Sequence, residues 1–161
     1  MMSIVKLPVS TEWLLHCATS LAQLEPGVTA SAAQLADYYD LPAPYLAKQL
    51  QALVRAGVLA ATTGPRGGFR LARAAADITM LQIVEAVDGA AMPYECREIR
   101  AQGRGALPPE ECRRACVLAE KMADAHRAWR ASLAGVTLAD ILAELPAHAP
   151  QRTRSILTGR T

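Results

Sequence analysis

The six residues Gly64–Phe69, Gly-Pro-Arg-Gly-Gly-Phe, restrict the fold more than any other stretch of the chain. Gly64, Gly67 and Gly68 admit backbone conformations closed to residues with a side chain, Pro65 stiffens the turn, and Arg66 is left at its tip. The short runs on either side, Val58–Thr62 and Phe69–Ala72, read as the two strands of a hairpin. Ahead of them, Ser31–Gly57 reads as two short helices separated by a tight turn at Asp40-Leu41-Pro42. Helix, turn, helix and then a hairpin with a basic tip is the winged-helix plan, a mainly α fold with one small β-hairpin. In that plan the second helix enters a major groove of duplex DNA and a cation on the hairpin reaches the minor groove.

Charge supports the same reading. The whole chain carries a net charge of only +2, but no acidic residue occurs from Leu41 to Ala76, where Lys48, Arg55, Arg66, Arg70 and Arg73 all fall. A local cationic stretch in a nearly neutral protein is the footprint of a phosphate-facing surface. Within it, Pro44 stands near the start of a helix, where its missing N–H costs nothing. Leu46, Leu50 and Leu53 fall on the inward stripe, and Pro44, Lys48, Gln51 and Arg55 on the other face with Tyr45 on the flank. Together with Arg66 these are the expected DNA-reading residues.

The remaining elements follow from caps and spacing. A first helix is expected from about Thr11 to Leu24, with Leu14, Cys17, Ala18 and Leu21 on its core stripe and Glu12, His16, Thr19 and Gln23 on a polar one. Ser31 with Gln34 and Thr79 with Gln82 have the spacing of capping boxes, and Thr137 caps a late helix over Leu138–Leu145. The 161 residues are thus expected to form a winged helix-turn-helix domain over 1–89 and a cysteine-bearing loop over 90–111. Dimerisation helices over 112–146 and a mobile tail over 147–161 complete the expectation. The longest helix, Glu110–Gly135, carries Leu118, Met122, Ala125, Trp129, Leu133 and Val136 at steps of three or four. That stripe is too long for one small domain to cover, and a second copy of the same helix would cover it while matching two DNA half-sites.

Four cysteines remain to be explained: Cys17, Cys96, Cys112 and Cys116. No signal peptide is evident, and no apolar run approaches the roughly 18 to 20 residues that span a bilayer. A cytoplasmic chain with reduced thiols and no membrane partner is therefore expected. Cys17 lies on the core stripe and reads as a small buried hydrophobe. Cys112 and Cys116, four apart at the start of the long helix, would feel the positive end of its dipole and the charges of Arg113 and Arg114, which favours thiolate. A thiolate in that compartment is a metal ligand or a redox-reactive group. Glu12 and His16, four apart on the first helix, read either as a surface pair or as ligands.

The runs Ser31-Ala-Ala-Gln-Leu-Ala, Pro44–Gly57, Gly64–Arg73 and Ile78–Gly89 together resemble the Rrf-type winged-helix transcription regulators, over about Ser10–Leu145. The segment Glu12-Trp-Leu-Leu-His-Cys is similar to one that recurs in the RsrR-like iron–sulfur branch. The resemblance implies a homodimeric repressor that binds double-stranded operator DNA and is switched by the redox or nitrosative state of a 2Fe–2S cluster. It also implies the ligands: Glu12 and His16 from one chain with Cys112 and Cys116 from its mate, Cys96 being a substitute for either cysteine, and Trp13 a residue that moves with the cluster state. Such a ligand set is one unit less negative than four thiolates, so the cluster is easier to reduce, in the sense seen in Rieske centres. Ala119 stands where IscR-like members have a ligand histidine, and Thr63 where many members have an arginine before the wing's Gly-Pro.

The residues admit two other readings. A metal-free regulator of the same fold would sense oxidants through Cys96, Cys112 and Cys116 as thiols. A small metal enzyme using a His/Glu/Cys site would leave the hairpin unexplained and has no catalytic motif here, so no enzymatic activity is expected.

Overall fold

The computed structural model describes residues 7–159; the first six residues of the expected DNA-binding segment and the last two of the expected tail lie outside them. In chain order the elements are α1 (Val9–Ala22), α2 (Ala32–Tyr39), α3 (Ala43–Arg55), β1 (Leu59–Thr62), β2 (Gly68–Leu71), α4 (Met80–Asp88), α5 (Pro109–Cys112), α6 (Val117–Ala134), α7 (Leu138–Glu144) and α8 (Ala149–Thr158). They fall into two compact units, one made of the chain up to Gly89 together with everything from Leu133, the other of Ala90–Ser132.

The first unit is a winged helix. Three of its helices begin where side chains satisfy orphan N–H groups: at α2, Gln34 N donates to Ser31 Oγ at 3.1 Å and Ser31 N to the Gln34 side chain at 2.7 Å. The same reciprocal box opens α4 from Thr79 and Gln82 and α7 from Thr137 and Asp140. Each such cap stabilises its helix by about 1 kcal/mol. The turn between α2 and α3 is made by Asp40, which takes a left-handed conformation (φ 52°). Leu14, Leu35, Leu46, Leu50, Leu53 and Ile83 are wholly buried where α1 to α4 meet. Burial of each is worth roughly 1.5–3 kcal/mol relative to exposure, so α3 is fixed by its three leucines.

The hairpin pairs Leu59 with Leu71 and Thr62 with Gly68. It is tied to the α1–α2 connection by Ala30, which exchanges backbone bonds with Phe69 at 3.0 and 2.8 Å. Two glycines of the hairpin are required for close approach, and Gly68 also for its φ of 157°. A Cβ on Gly67 would come within 2.3 Å of the Thr62 carbonyl oxygen, and one on Gly68 within 2.6 Å of that of Ala30. After the second unit the chain rejoins the first through a bridge between Thr79 and Thr137, with Met80 N on Val136 O and Leu138 N on Ile78 O, each at 2.9 Å.

Two expectations are corrected. The stretch after Pro146, expected as a mobile tail, forms α8, with Pro150 in its first turn and Thr153 and Leu157 buried. Gln34 Nε2 donates to Leu157 O at 2.9 Å, the Tyr38 hydroxyl lies 3.3 Å from Thr153 Oγ1, and Arg154 pairs with Glu25 at 2.7 Å. Polar composition concealed the helix, because two inward residues four apart suffice to seat a short one on α2. The long helix expected over Glu110–Gly135 is broken into α5 and α6. The break falls just before Cys116, where the new helix starts with Glu120 N donating to the Cys116 carbonyl at 3.0 Å. Upstream, the Arg114 carbonyl is turned out to the Arg100 guanidinium at 2.8 Å. Among the described residues no helix is long and apolar enough to cross a membrane.

Candidate nucleic-acid interface and thiol site

On α3 the division of faces is complete. Leu46, Leu50 and Leu53 are inaccessible, while Pro44, Tyr45, Lys48, Gln51 and Arg55 are exposed, as is Arg66 on the hairpin tip. The tip is steadied by Thr29, whose hydroxyl donates to the Arg66 carbonyl at 3.3 Å and leaves the guanidinium outward. Of the five cations counted over this stretch, Arg73 is withdrawn. Its guanidinium donates to Gly57 O at 3.2 Å, Asp77 O at 3.0 Å and the Gln82 side chain at 3.4 Å, holding the hairpin's exit to α4. What remains is a surface with cations, an amide and an aromatic on one helix, able to neutralise phosphates and to meet base edges.

Helix α1 holds the acid and imidazole expected as ligands. Glu12 and His16 are both exposed and, with Leu7, Pro8, Val9, Thr11 and Leu15, line a shallow cavity of about 310 Å³. Among the described residues neither is tied by a hydrogen bond or ion pair through its side chain. The Thr11 hydroxyl in the same cavity is buried with no partner. Contacts not legible in the sequence join this helix to the DNA-reading pair. The Trp13 ring meets Tyr45 of α3 edge-on at 5.7 Å, and the His16 ring lies 5.7 Å from Tyr39 of α2. The Tyr39 hydroxyl donates to His16 O at 3.2 Å and lies 2.6 Å from Ser20 Oγ. Cys17 is fully buried and burial pushes its thiol up to about 12, so it is inert, as its place on the core stripe predicts.

In the second unit the late cysteines gather about Arg100, a residue no sequence signal distinguishes from the loop's other arginines. Glu98 holds the guanidinium, with Nη2 at 2.9 Å from its carboxylate, and this ion pair keeps the Arg100 pKa above its ordinary value. The Glu98 carboxyl is correspondingly held below the usual range, first by its hydrogen bond to Arg100. Charges on Cys116 and Cys112 are also felt at the guanidinium. The Cys116 thiol is lowered, chiefly by the Ala119 N–H, then by that of Leu118, the Arg100 charge and the Cys96 thiol. The sequence predicts thiolate from the helix end and from Arg113 and Arg114; at Cys116 the backbone N–H groups of that helix end lower the thiol, and the cation that does so is Arg100. Cys112 ends α5 and points to Leu107 O at 4.0 Å, so it does not share a helix face with Cys116. Cys96, Arg100 and Cys116 line one cavity of about 240 Å³. Among the described residues no three His, Cys, Asp or Glu side chains of one chain gather to hold a metal ion.

Comparison with known proteins agrees with the fold. The family model described as Rrf2, iron-dependent transcriptional regulator, matches residues 7–144. The putative regulator BadM of Rhodopseudomonas palustris is 39% identical over 50% of this chain and 51% of its own. The regulator IscR of Cereibacter sphaeroides is 39% identical over 43% of this chain and 44% of its own. The chain thus spans about half the length of these curated relatives. Among solved structures, the global cysteine regulator CymR of B. subtilis superposes with a TM-score of 0.69 at 21% identity, over 89% of this chain and 100% of that one.

Proposed function

The chain belongs to the Rrf2 family of transcriptional regulators, and from that premise we propose that it is a homodimeric repressor whose grip on operator DNA is set by a 2Fe–2S cluster. The observation that carries the DNA-binding part is the exposed face of α3, where Lys48, Gln51 and Arg55 stand clear above three inaccessible leucines. Lys48 and Arg66 contact phosphate or groove, so Lys48→Ala and Arg66→Ala each weaken binding to a promoter fragment. Each also reduces the slope of log K against log salt by about one. Unchanged affinity and slope in both variants would remove this face from the interface.

The donor chemistry fits the cluster. Cys116 is a favoured thiolate and Cys112 lies near the same guanidinium, while the unpaired Glu12 and His16 and the orphaned Thr11 hydroxyl share one cavity on α1. Glu12 and His16 of one copy and Cys112 and Cys116 of its mate would hold it, with Cys96 able to replace either cysteine. When bound, the cluster supplies one-electron chemistry and a target for nitric oxide or oxygen. Arg100 keeps positive charge beside Cys116. Trp13, packed on Tyr45, is the gate through which a shift of α1 reaches the reading helix. The exposed stripe of α6, Leu118, Met122 and Trp129, is the face a second copy covers. Protein purified without oxygen is expected to be red-brown, and Cys112→Ala and Glu12→Ala to lose that absorption. Colourless wild-type protein would end the cluster reading and leave the DNA-binding one standing.

A further inference from the structure

We infer that Arg73 is a positioning residue of the DNA-reading surface: it fixes the hairpin against the end of α3 and so sets where Arg66 meets the duplex. The inference rests on the preceding reading of α3 and the hairpin as the DNA contact and does not involve the cluster. A two-stranded hairpin with strands of four residues, Leu59–Thr62 and Gly68–Leu71, has little stability of its own. Its direction is therefore set by whatever holds its ends. The chain leaves α3 through Gly57 and enters β1, then returns from β2 through Ala72, whose N–H donates to Val58 O at 3.0 Å.

Arg73 follows at once, and its guanidinium reaches three separate acceptors. Nε donates to Gly57 O at 3.2 Å, at the corner where α3 gives way to the hairpin. Nη1 donates to Asp77 O at 3.0 Å, at the end of the short turn before α4. Nη2 donates to Gln82 Oε1 at 3.4 Å, the oxygen that also accepts from Thr79 N at 3.0 Å in the box opening α4. One side chain thus ties the entry and exit of the hairpin to two helices whose inner residues, Leu46, Leu50, Leu53 and Ile83, are wholly buried. At the far end Thr29 donates to the Arg66 carbonyl at 3.3 Å, and Ala30 pairs with Phe69. Held at base and tip, the hairpin presents Arg66 at a set reach from the outward face of α3. Arg73 is itself exposed, so shortening it opens no cavity in the core. Lysine is a poor replacement here, because an ammonium on a flexible stem cannot span three acceptors as the guanidinium fork does. At a phosphate it would serve as a cation just as well.

A double-mutant cycle with Arg66 tests the inference in the full-length protein. The readout is affinity for a promoter fragment across several salt concentrations, corrected for the folded fraction by urea titration. Arg73→Ala is expected to weaken binding by at least the factor seen in Arg66→Ala. Like that variant, it should reduce the slope of log K against log salt by about one, because both lose the hairpin's contact. The double variant is then expected to bind within about twofold of Arg73→Ala alone. Arg73→Lys is expected to behave as Arg73→Ala does. In the free protein, hydrogen exchange at the amides of β1 and β2 should quicken in both Arg73 variants while that of α1 keeps its wild-type rates. Losses that multiply in the double variant, a lysine that restores wild-type affinity, or hairpin exchange left unchanged would each overturn the inference. If Arg66→Ala binds as the wild type does, the reading of the hairpin as a DNA contact falls and takes the inference with it. If Arg66→Ala binds weakly and the losses multiply, only the inference falls.

Discussion

The two units of this chain are built on opposite principles. The first closes on a core in which α1, α2, α3, α4, the hairpin, α7 and α8 all contribute buried apolar side chains. In the second, not one residue from Ala90 to Ser132 is buried, although Ile99, Val117, Leu118 and Trp129 are among its exposed apolar residues. What orders its loop is polar: the Glu98–Arg100 pair, the Arg114 carbonyl on Arg100, and Leu107 N on Arg100 O at 2.8 Å. A region with a core holds its shape whatever it binds. A region without one takes its stability from partners and is poorly suited to presenting a rigid face.

Truncation tests that contrast most strongly. Leu50→Ala, in the inaccessible face of α3, is expected to lower unfolding stability by about 2–5 kcal/mol by urea titration. Met122→Ala, on the exposed face of α6, should change the unfolding of a single chain by less than about 0.5 kcal/mol while weakening self-association by sedimentation. Equal losses would mean that the second unit has a core after all.

A smaller effect sharpens the picture within the first unit. Ser31→Ala removes one half of the α2 capping box and is expected to cost about 1 kcal/mol, read from the same titration. It should also lower operator affinity only through the folded fraction, since Ser31 faces no expected DNA contact.

The smallest effect is invisible at neutral pH. Burial pushes both Cys17 and Tyr39 up to about 12 from ordinary values of 9.0 and 10.0. Between those values the folded state holds protons that the unfolded chain has released. Stability is therefore intact below pH 9 and falls as pH rises from about 9 towards 12. Cys17→Ala should flatten the lower part of that fall in pH-dependent denaturation. An identical curve would show that the thiol ionises normally in the fold.

Much of the first unit was legible because its signals are local. The boxes at Ser31 and Thr79, Pro44 in the first turn of α3, and the glycines of the hairpin each act within four residues of themselves. The outward residues of α3 were readable for the same reason, since a 3.6-residue period assigns faces without knowledge of the neighbours. Legibility failed where a side chain answers to something distant. The break before α6 leaves the Arg114 carbonyl to Arg100, from another part of the loop. Helix α8 depends on a seat offered by Gln34 and Tyr38, more than a hundred residues earlier.

The amino-acid order alone determined a helix-turn-helix with a basic hairpin and which side chains of α3 turn outward, because caps, glycines and periodicity are properties of neighbouring residues. Only the tertiary structure decided that Trp13 touches Tyr45, that Cys96 rather than Cys112 lines a cavity with Cys116, and that Arg100 lines it with them. Those are encounters between segments whose separation in sequence carries no information about their distance in space.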